Sequence, residues 1–124
     1  MKEAVRTDEA PKPVGPYSQA VKVGNLIFTS GQIGIDPKTN ELVEGLEEQT
    51  KQTFMNLSAV LAAAGSGLER VVKTTIFITD MDNFSLVNSI YAQFFREPFP
   101  ARSTVEVSRL PKGALIEVDA IAEI

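Results

Sequence analysis

The chain has 124 residues, 44% of them hydrophobic and 23% charged, a composition that excludes disordered and fibrous classes and fits one domain over residues 1–124. Twelve Lys and Arg against sixteen Asp and Glu give a net charge of −4, the wrong sign for a protein that tracks a phosphate backbone, so a nucleic-acid partner is not expected. Cys and His are both absent, which removes disulfides, thiolate nucleophiles, Ser-His-Asp catalysis and the commonest ligands of zinc, copper and haem.

Met1 to Arg6 has no apolar run behind its charges, so no secretory leader is expected. No stretch approaches the roughly 20 apolar residues of a membrane helix, and the expected address is the cytoplasm. Ala10-Pro11-Lys12-Pro13-Val14-Gly15-Pro16-Tyr17 is barred from helix by its prolines and reads as a semi-rigid surface loop. Ser18 to Val23 reads as a strand. Gly24-Asn25 is a turn signal, and Leu26 to Ser30 completes a hairpin. Asp36 to Asn40 is a tight turn.

A long helix follows. Leu46, Thr50, Thr53, Phe54, Leu57, Val60, Leu61 and Ala64 fall on one stripe at helical spacing. Glu47 and Glu48 suit the positive end of its dipole, and Gly65 stops it as a left-handed cap. Arg70 to Thr79, rich in Val, Ile and Thr, reads as a strand. A second helix starts at Asp80 or Asp82 and ends before Pro98 and Pro100. Phe84, Asn88, Tyr91 and Phe95 line one of its faces, which makes Asn88 a polar intruder needing partners. Arg102 to Val107 and Ala114 to Ile124 read as closing strands, joined through Ser108 to Gly113.

This order predicts a two-layer α+β fold, one mixed β-sheet covered on one face by two helices. The unit from Arg70 to Val107 should be a crossover between parallel strands. In the last strand Ile116, Val118, Ala120, Ala122 and Ile124 should lie under the helices. Leu115, Glu117, Asp119 and Ile121 then share the other face, where apolar side chains without a covering helix suggest association with another subunit.

Several polar residues are candidates for chemistry. Arg102 opens a strand and shares a face with Thr104 and Glu106; its guanidinium suits a carboxylate ligand, or a salt bridge to Glu117, Asp119 or Glu106. Glu117 sits inside a β-rich run, where Glu is depleted. It is a candidate general acid/base, or one charge of a solvated strand face shared with Asp119. Tyr17 follows the proline-locked loop, and Ser30 ends a strand beside Gly31, where backbone approaches a ligand closely. Both also read as a packed aromatic and a turn serine. Gly31-Gln32-Ile33-Gly34 lacks the Lys-Ser/Thr of a phosphate loop.

Four segments taken together carry a resemblance: Gly15-Pro16-Tyr17-Ser18, Thr29-Ser30-Gly31-Gln32-Ile33, Phe99-Pro100-Ala101-Arg102-Ser103, and Arg109-Leu110-Pro111-Lys112 followed by Ile116-Glu117-Val118-Asp119-Ala120. The chain closely resembles the RidA (reactive intermediate/imine deaminase) family, also called the YjgF family, from about Val5 to its C-terminus. The resemblance implies a chorismate-mutase-like fold and a homotrimer with clefts between subunits. It implies hydrolysis of small 2-imino acids to 2-keto acids and ammonia, with no cofactor and no metal. Arg102 matches the family's carboxylate-binding arginine, Tyr17 its tyrosine, Ser30 its serine, Asn88 its helix asparagine and Glu117 its water-handling glutamate. Backbone near Gly31 and Thr104 would complete the site. Some members carry Cys where this chain has Thr104, so a thiol is not the nucleophile here and direct attack by water is expected. The rival readings are a small-carboxylate sensor without turnover, a ribonuclease or translation inhibitor, and a chaperone-like scaffold.

Overall fold

The computed structural model describes residues 1–124. The chain runs β1 (Glu3–Val5), β2 (Ala20–Val23), β3 (Leu26–Thr29), β4 (Ile35–Asp36), β5 (Glu41–Leu42), α1 (Leu46–Ala63), β6 (Val71–Ile78), α2 (Phe84–Phe94), β7 (Ala101–Glu106) and β8 (Ile116–Glu123). Six strands form one mixed sheet in the order β1-β2-β3-β8-β6-β7. Only β6 and β7, the pair joined through α2, are parallel. Both helices lie on one face of the sheet, so the two-layer α+β expectation holds.

The helical stripe of α1 is buried as its spacing predicts. Phe54, Leu57, Val60 and Leu61 are fully enclosed against Ile27, Ile76, Ile116 and Val118 of the sheet. Gly65 takes a φ of 86°. Its N–H bonds to Ala62 O at 3.0 Å and that of Ser66 to Leu61 O at 2.8 Å, the paired closure of a Schellman cap. At the other helix, Asp80 accepts from Asp82 N at 3.0 Å and starts a 3-10 turn that runs into α2. Phe54 packs edge-on to Tyr91 and Phe95, which joins the two helices.

Several expectations need correction. Ser18 and Gln19 lie outside β2, because both carbonyls accept hydrogen bonds from Ser30 instead of continuing the ladder. Leu68–Arg70 form a 3-10 turn, so β6 starts at Val71. β8 starts at Ile116, after a turn over Pro111–Gly113. Ile124 lies past the strand and is exposed. Asn88 is exposed on α2, not part of its buried face; the buried residues there are Val87, Ile90 and Tyr91. Two features were not anticipated. β1 pairs with β2 at one edge, and β4 with β5 forms a separate two-stranded ribbon around the Asp36–Asn40 turn.

β7 and β8 do not form a hairpin. β6 lies between them, and that insertion governs the geometry of the site.

Candidate active site

Glu117 lies on the sheet face away from the helices, opposite Phe77 of β6. It lines a cavity of about 330 Å3 together with Tyr17, Ser30, Gly31, Lys12 and Lys112. The volume is at the lower end of the range for ligand pockets, about 300–1,000 Å3. Gln32 clamps the cavity floor: its N–H donates to Val118 O at 2.8 Å, and Val118 N returns a bond at 3.0 Å. That bridge presses Gly31 onto the Glu117 side chain so closely that a Cβ at position 31 would collide with the carboxylate. Gly31 is therefore needed for the close approach of backbone to the Glu117 carboxylate.

Burial raises the Glu117 carboxyl above its ordinary value of 4.5, and the negative charge of Asp119 adds to the rise. Burial also raises Asp119, while a hydrogen bond from Thr75 and the charge of Lys73 pull it back. A half-buried carboxyl raised in this way keeps its proton to a higher pH than a solvated one, which suits it to general acid–base work. Ser30 Oγ donates to Ser18 O at 2.6 Å, which ties the Tyr17 loop to the end of β3 and leaves the hydroxyl oxygen free to accept. Tyr17 is 50% exposed, so it is not a packed core aromatic. Its hydroxyl accepts weakly from Val14 N at 3.4 Å, which leaves the O–H proton available.

Arg102 occupies a different place. Its partners across the parallel ladder are Thr74 and then Ala120, both on the helix side. Its guanidinium carbon sits 4.8 Å from the centre of the Tyr91 ring and 5.1 Å from that of Phe84, within the range of a cation–π contact. Nη1 donates to Asn88 Oδ1 at 2.8 Å. The Tyr91 hydroxyl is itself fixed by Thr74 Oγ1 at 2.9 Å. Arg102 makes no salt bridge; the single one in the molecule joins Lys51 to Glu47. The guanidinium is thus oriented by rings and an amide while its charge stays unpaired, which is the state of an anion receptor. Asn88, Tyr91, Phe99 and Arg102 line a second, open hollow. Thr104 lies on the same strand face, one step along β7.

The seven residues singled out from the sequence therefore fall into two groups. Tyr17, Ser30, Gly31 and Glu117 meet at one cavity. Arg102, Asn88 and Thr104 gather at the β7 edge, on the opposite side of the sheet. No group of His, Cys, Asp or Glu is placed to hold a metal ion, and no helix is long and apolar enough to cross a membrane.

The four segments that lie at these two places are also the ones that carried the resemblance. A family model described as endoribonuclease L-PSP matches residues 7–124. A RutC family protein of Pyrococcus horikoshii is 54% identical over 123 residues, 98% of each chain. The chain belongs to the RidA/YjgF family. A further RidA/YjgF relative, from Dermatophagoides farinae, is named 2-iminobutanoate/2-iminopropanoate deaminase; it is 47% identical and covers 99% of this chain and 97% of its own. Among solved structures, the Rid-family protein YyfA of Yersinia pestis superposes with a TM-score of 0.97 at 52% identity over 100% of both chains.

Sequence reasoning missed the residues that hold these RidA/YjgF side chains in place. Phe84 and Tyr91 are the plates under Arg102, and their spacing of seven residues put them on one helix face without saying what they would face. Gln19 and Gln32 are buried polar residues beside the cavity. A glutamine at the start of an apolar strand was the available signal. Lys12 and Lys112 stand on the rim of the Glu117 cavity; Lys112 takes a φ of 58° inside its turn.

Proposed function

We propose that this protein is a cofactor-free deaminase of small 2-imino acids, with its active site completed between protomers of a homotrimer. The observation that carries the reading is the division just described. A proton-exchanging carboxyl and an unpaired, pre-oriented guanidinium lie on opposite faces of one sheet, so a single chain does not bring them to one substrate. A second copy that lays its β7 edge over the open face of the first would join them. Val23, Phe28 and Val105, exposed on that open face, supply apolar surface for such an association.

Arg102 of the neighbouring protomer holds the substrate carboxylate through two parallel hydrogen bonds. The protonated imine carbon lies over Glu117, whose carboxylate takes a proton from water as the water oxygen bonds to that carbon. The C=N double bond becomes single, giving a neutral carbinolamine. Glu117 returns the proton to the amine nitrogen. The C–N bond then breaks as Glu117 takes the hydroxyl proton, and the carbonyl forms. Ammonia leaves and collects that proton as ammonium, so the balance is iminium plus water to 2-keto acid plus ammonium. Tyr17 and Ser30 orient water and substrate. Such general acid–base assistance contributes about 10²–10⁴-fold to a rate.

The test is keto-acid release from 2-iminobutanoate, generated in place by a threonine dehydratase, with wild type, Arg102→Ala and Arg102→Lys compared. Wild type should accelerate release. Arg102→Lys should lose about 10- to 100-fold, because a charged hydrogen bond is worth about 1.5–3 kcal/mol and an ammonium lacks the planar fork. Arg102→Ala should lose at least as much. A folded, trimeric wild type without acceleration overturns the reading. Binding of 2-ketobutanoate without turnover would then favour a small-carboxylate sensor, and salt-sensitive RNA cleavage would favour the activity in the family model's description.

A further inference from the structure

The walls of the Glu117 cavity are held by more than the sheet, and the catalytic consequence of that rests on the deaminase reading. Three stretches of backbone converge on that cavity. They are the loop from Thr7 to Tyr17, the stretch from Gly31 to Ile35, and the turn from Pro111 to Leu115 that leads into Glu117. Most of this backbone lies outside the ladders of the main sheet, so its polar groups need partners from elsewhere.

Each stretch finds one buried carboxamide. Gln19 is 2% exposed. Its Nε2 donates to Thr7 O at 3.0 Å and Pro11 O at 2.9 Å, with a longer contact to Ala10 O at 3.4 Å, while Oε1 accepts from Thr7 N at 2.7 Å. Asn56, on α1 and 1% exposed, donates from Nδ2 to Ile33 O at 3.0 Å and Ile35 O at 2.9 Å. The orientation of that amide is fixed in turn by Gln52 Nε2, which donates to its Oδ1 at 2.9 Å. Gln49, also on α1 and 4% exposed, accepts at Oε1 from Leu115 N at 2.8 Å, two residues before Glu117. Gly34 adds to the same clamp: a Cβ there would lie 2.6 Å from Gln49 Cα, so the stretch from Gly31 to Ile35 is pressed directly onto α1.

The buried threonines behave differently. Thr50 bonds back to its own helix at Leu46 O, Thr74 meets Tyr91, and Thr53 Oγ1 has no partner at all. None of them reaches a wall of the cavity. Gln32, the fourth buried carboxamide, joins the cavity through its backbone bridge to Val118, whereas the side chains of Gln19, Gln49 and Asn56 each reach across to one of the three stretches, the last two from α1. We propose that Gln19, Gln49 and Asn56 are positioning residues that fix the three walls of the Glu117 cavity, and through them the mutual placement of Tyr17, Gly31 and Glu117.

The experiment compares wild type with Asn56→Leu and with the milder Gln49→Met. Kinetics on 2-iminobutanoate, the melting temperature and a carbon-13 titration of the Glu117 carboxyl are recorded for each. Displacement of reacting groups by about 1 Å costs about 100-fold, so Asn56→Leu should lower kcat by about 10- to 100-fold and Gln49→Met by about threefold to tenfold, with KM changed much less. In both, the Glu117 titration should fall back toward 4.5, because a loosened wall admits water to a carboxyl that burial had raised. Asp119, Lys73, Lys12 and Lys112, the other charges of this chain around it, are untouched by these substitutions, and repeating the titration in an Arg102→Ala background removes the neighbouring protomer's guanidinium, so the movement there reports on the wall. A lower melting temperature with kcat and the Glu117 titration unchanged would mean that the amides are only structural, and would overturn the proposal. If Asn56→Leu does not fold, Gln49→Met decides alone. If wild type shows no turnover, the deaminase reading fails, while the titration still decides whether these amides shape the cavity.

Discussion

The two halves of the candidate site are built in opposite ways. Glu117 stands in an inner strand, between β3 and β6, at the floor of a cavity walled by loops. Its chemistry comes from partial loss of water, which raises its pKa. Arg102 stands on the edge strand β7, exposed, and its geometry comes from stacking on Phe84 and Tyr91 and from one bond to Asn88. A carboxyl gains a useful pKa by burial, whereas a guanidinium is charged at any working pH and needs only orientation. An inner strand and an edge strand supply those two conditions. The edge strand has the further property that no strand of its own sheet covers its outer side.

The largest break in this comparison should come from the buried half. Glu117→Gln keeps shape and removes proton exchange, so turnover should fall by about 10²–10⁴-fold. Substrate binding should hold, because the Arg102 half is intact. A loss confined to KM would contradict the role given to Glu117.

A smaller effect tests whether the halves meet across chains. Arg102→Ala and Glu117→Gln proteins, unfolded together and reassembled at equal ratio, should recover about one quarter of wild-type turnover, since in a cyclic oligomer each interface draws one chain for each half at random. Halves that met within one chain would give no recovery.

The smallest effect is electrostatic. In Arg102→Ala, Glu117 should titrate above 4.5, because burial and Asp119 raise it. The folded state then binds that proton more tightly than the unfolded chain. Its share of stability is present at low pH and is lost as pH rises through the raised value. In the assembled wild type a neighbour's Arg102 should pull the same titration down and weaken that slope. Equal Glu117 titrations in the two proteins, read by carbon-13 shifts, would mean that the guanidinium never reaches the cavity.

Much of the local structure was legible in advance. The α1 stripe, the Gly65 stop, the Val- and Ile-rich run of β6 and the alternation in β8 each follow from spacing over a few residues. The pairs Glu117 with Asp119 and Arg102 with Thr104 were placed on shared faces by alternation alone. β1 was not legible, since three residues carry no period and the strand exists only by pairing with β2, 15 or more residues on. Asn88 was misplaced because a helical wheel does not say how wide the buried stripe is. The clamp on Gly31 was hidden as well, because it depends on Gln32 meeting Val118 from the far end of the chain.

Sequence by itself determined the chemical inventory: no thiol, no imidazole, and a guanidinium, a carboxyl, a phenol and a serine in segments typical of one family. It also determined which side chains share a strand face, because the period of a strand is a property of each residue's own backbone. Only the tertiary structure decided that β6 lies between β7 and β8, and that the register sets Arg102 beside Thr74 and Glu117 beside Phe77, on opposite faces. Strand order and register are set by contacts between residues distant in the chain, whose energies no local pattern contains.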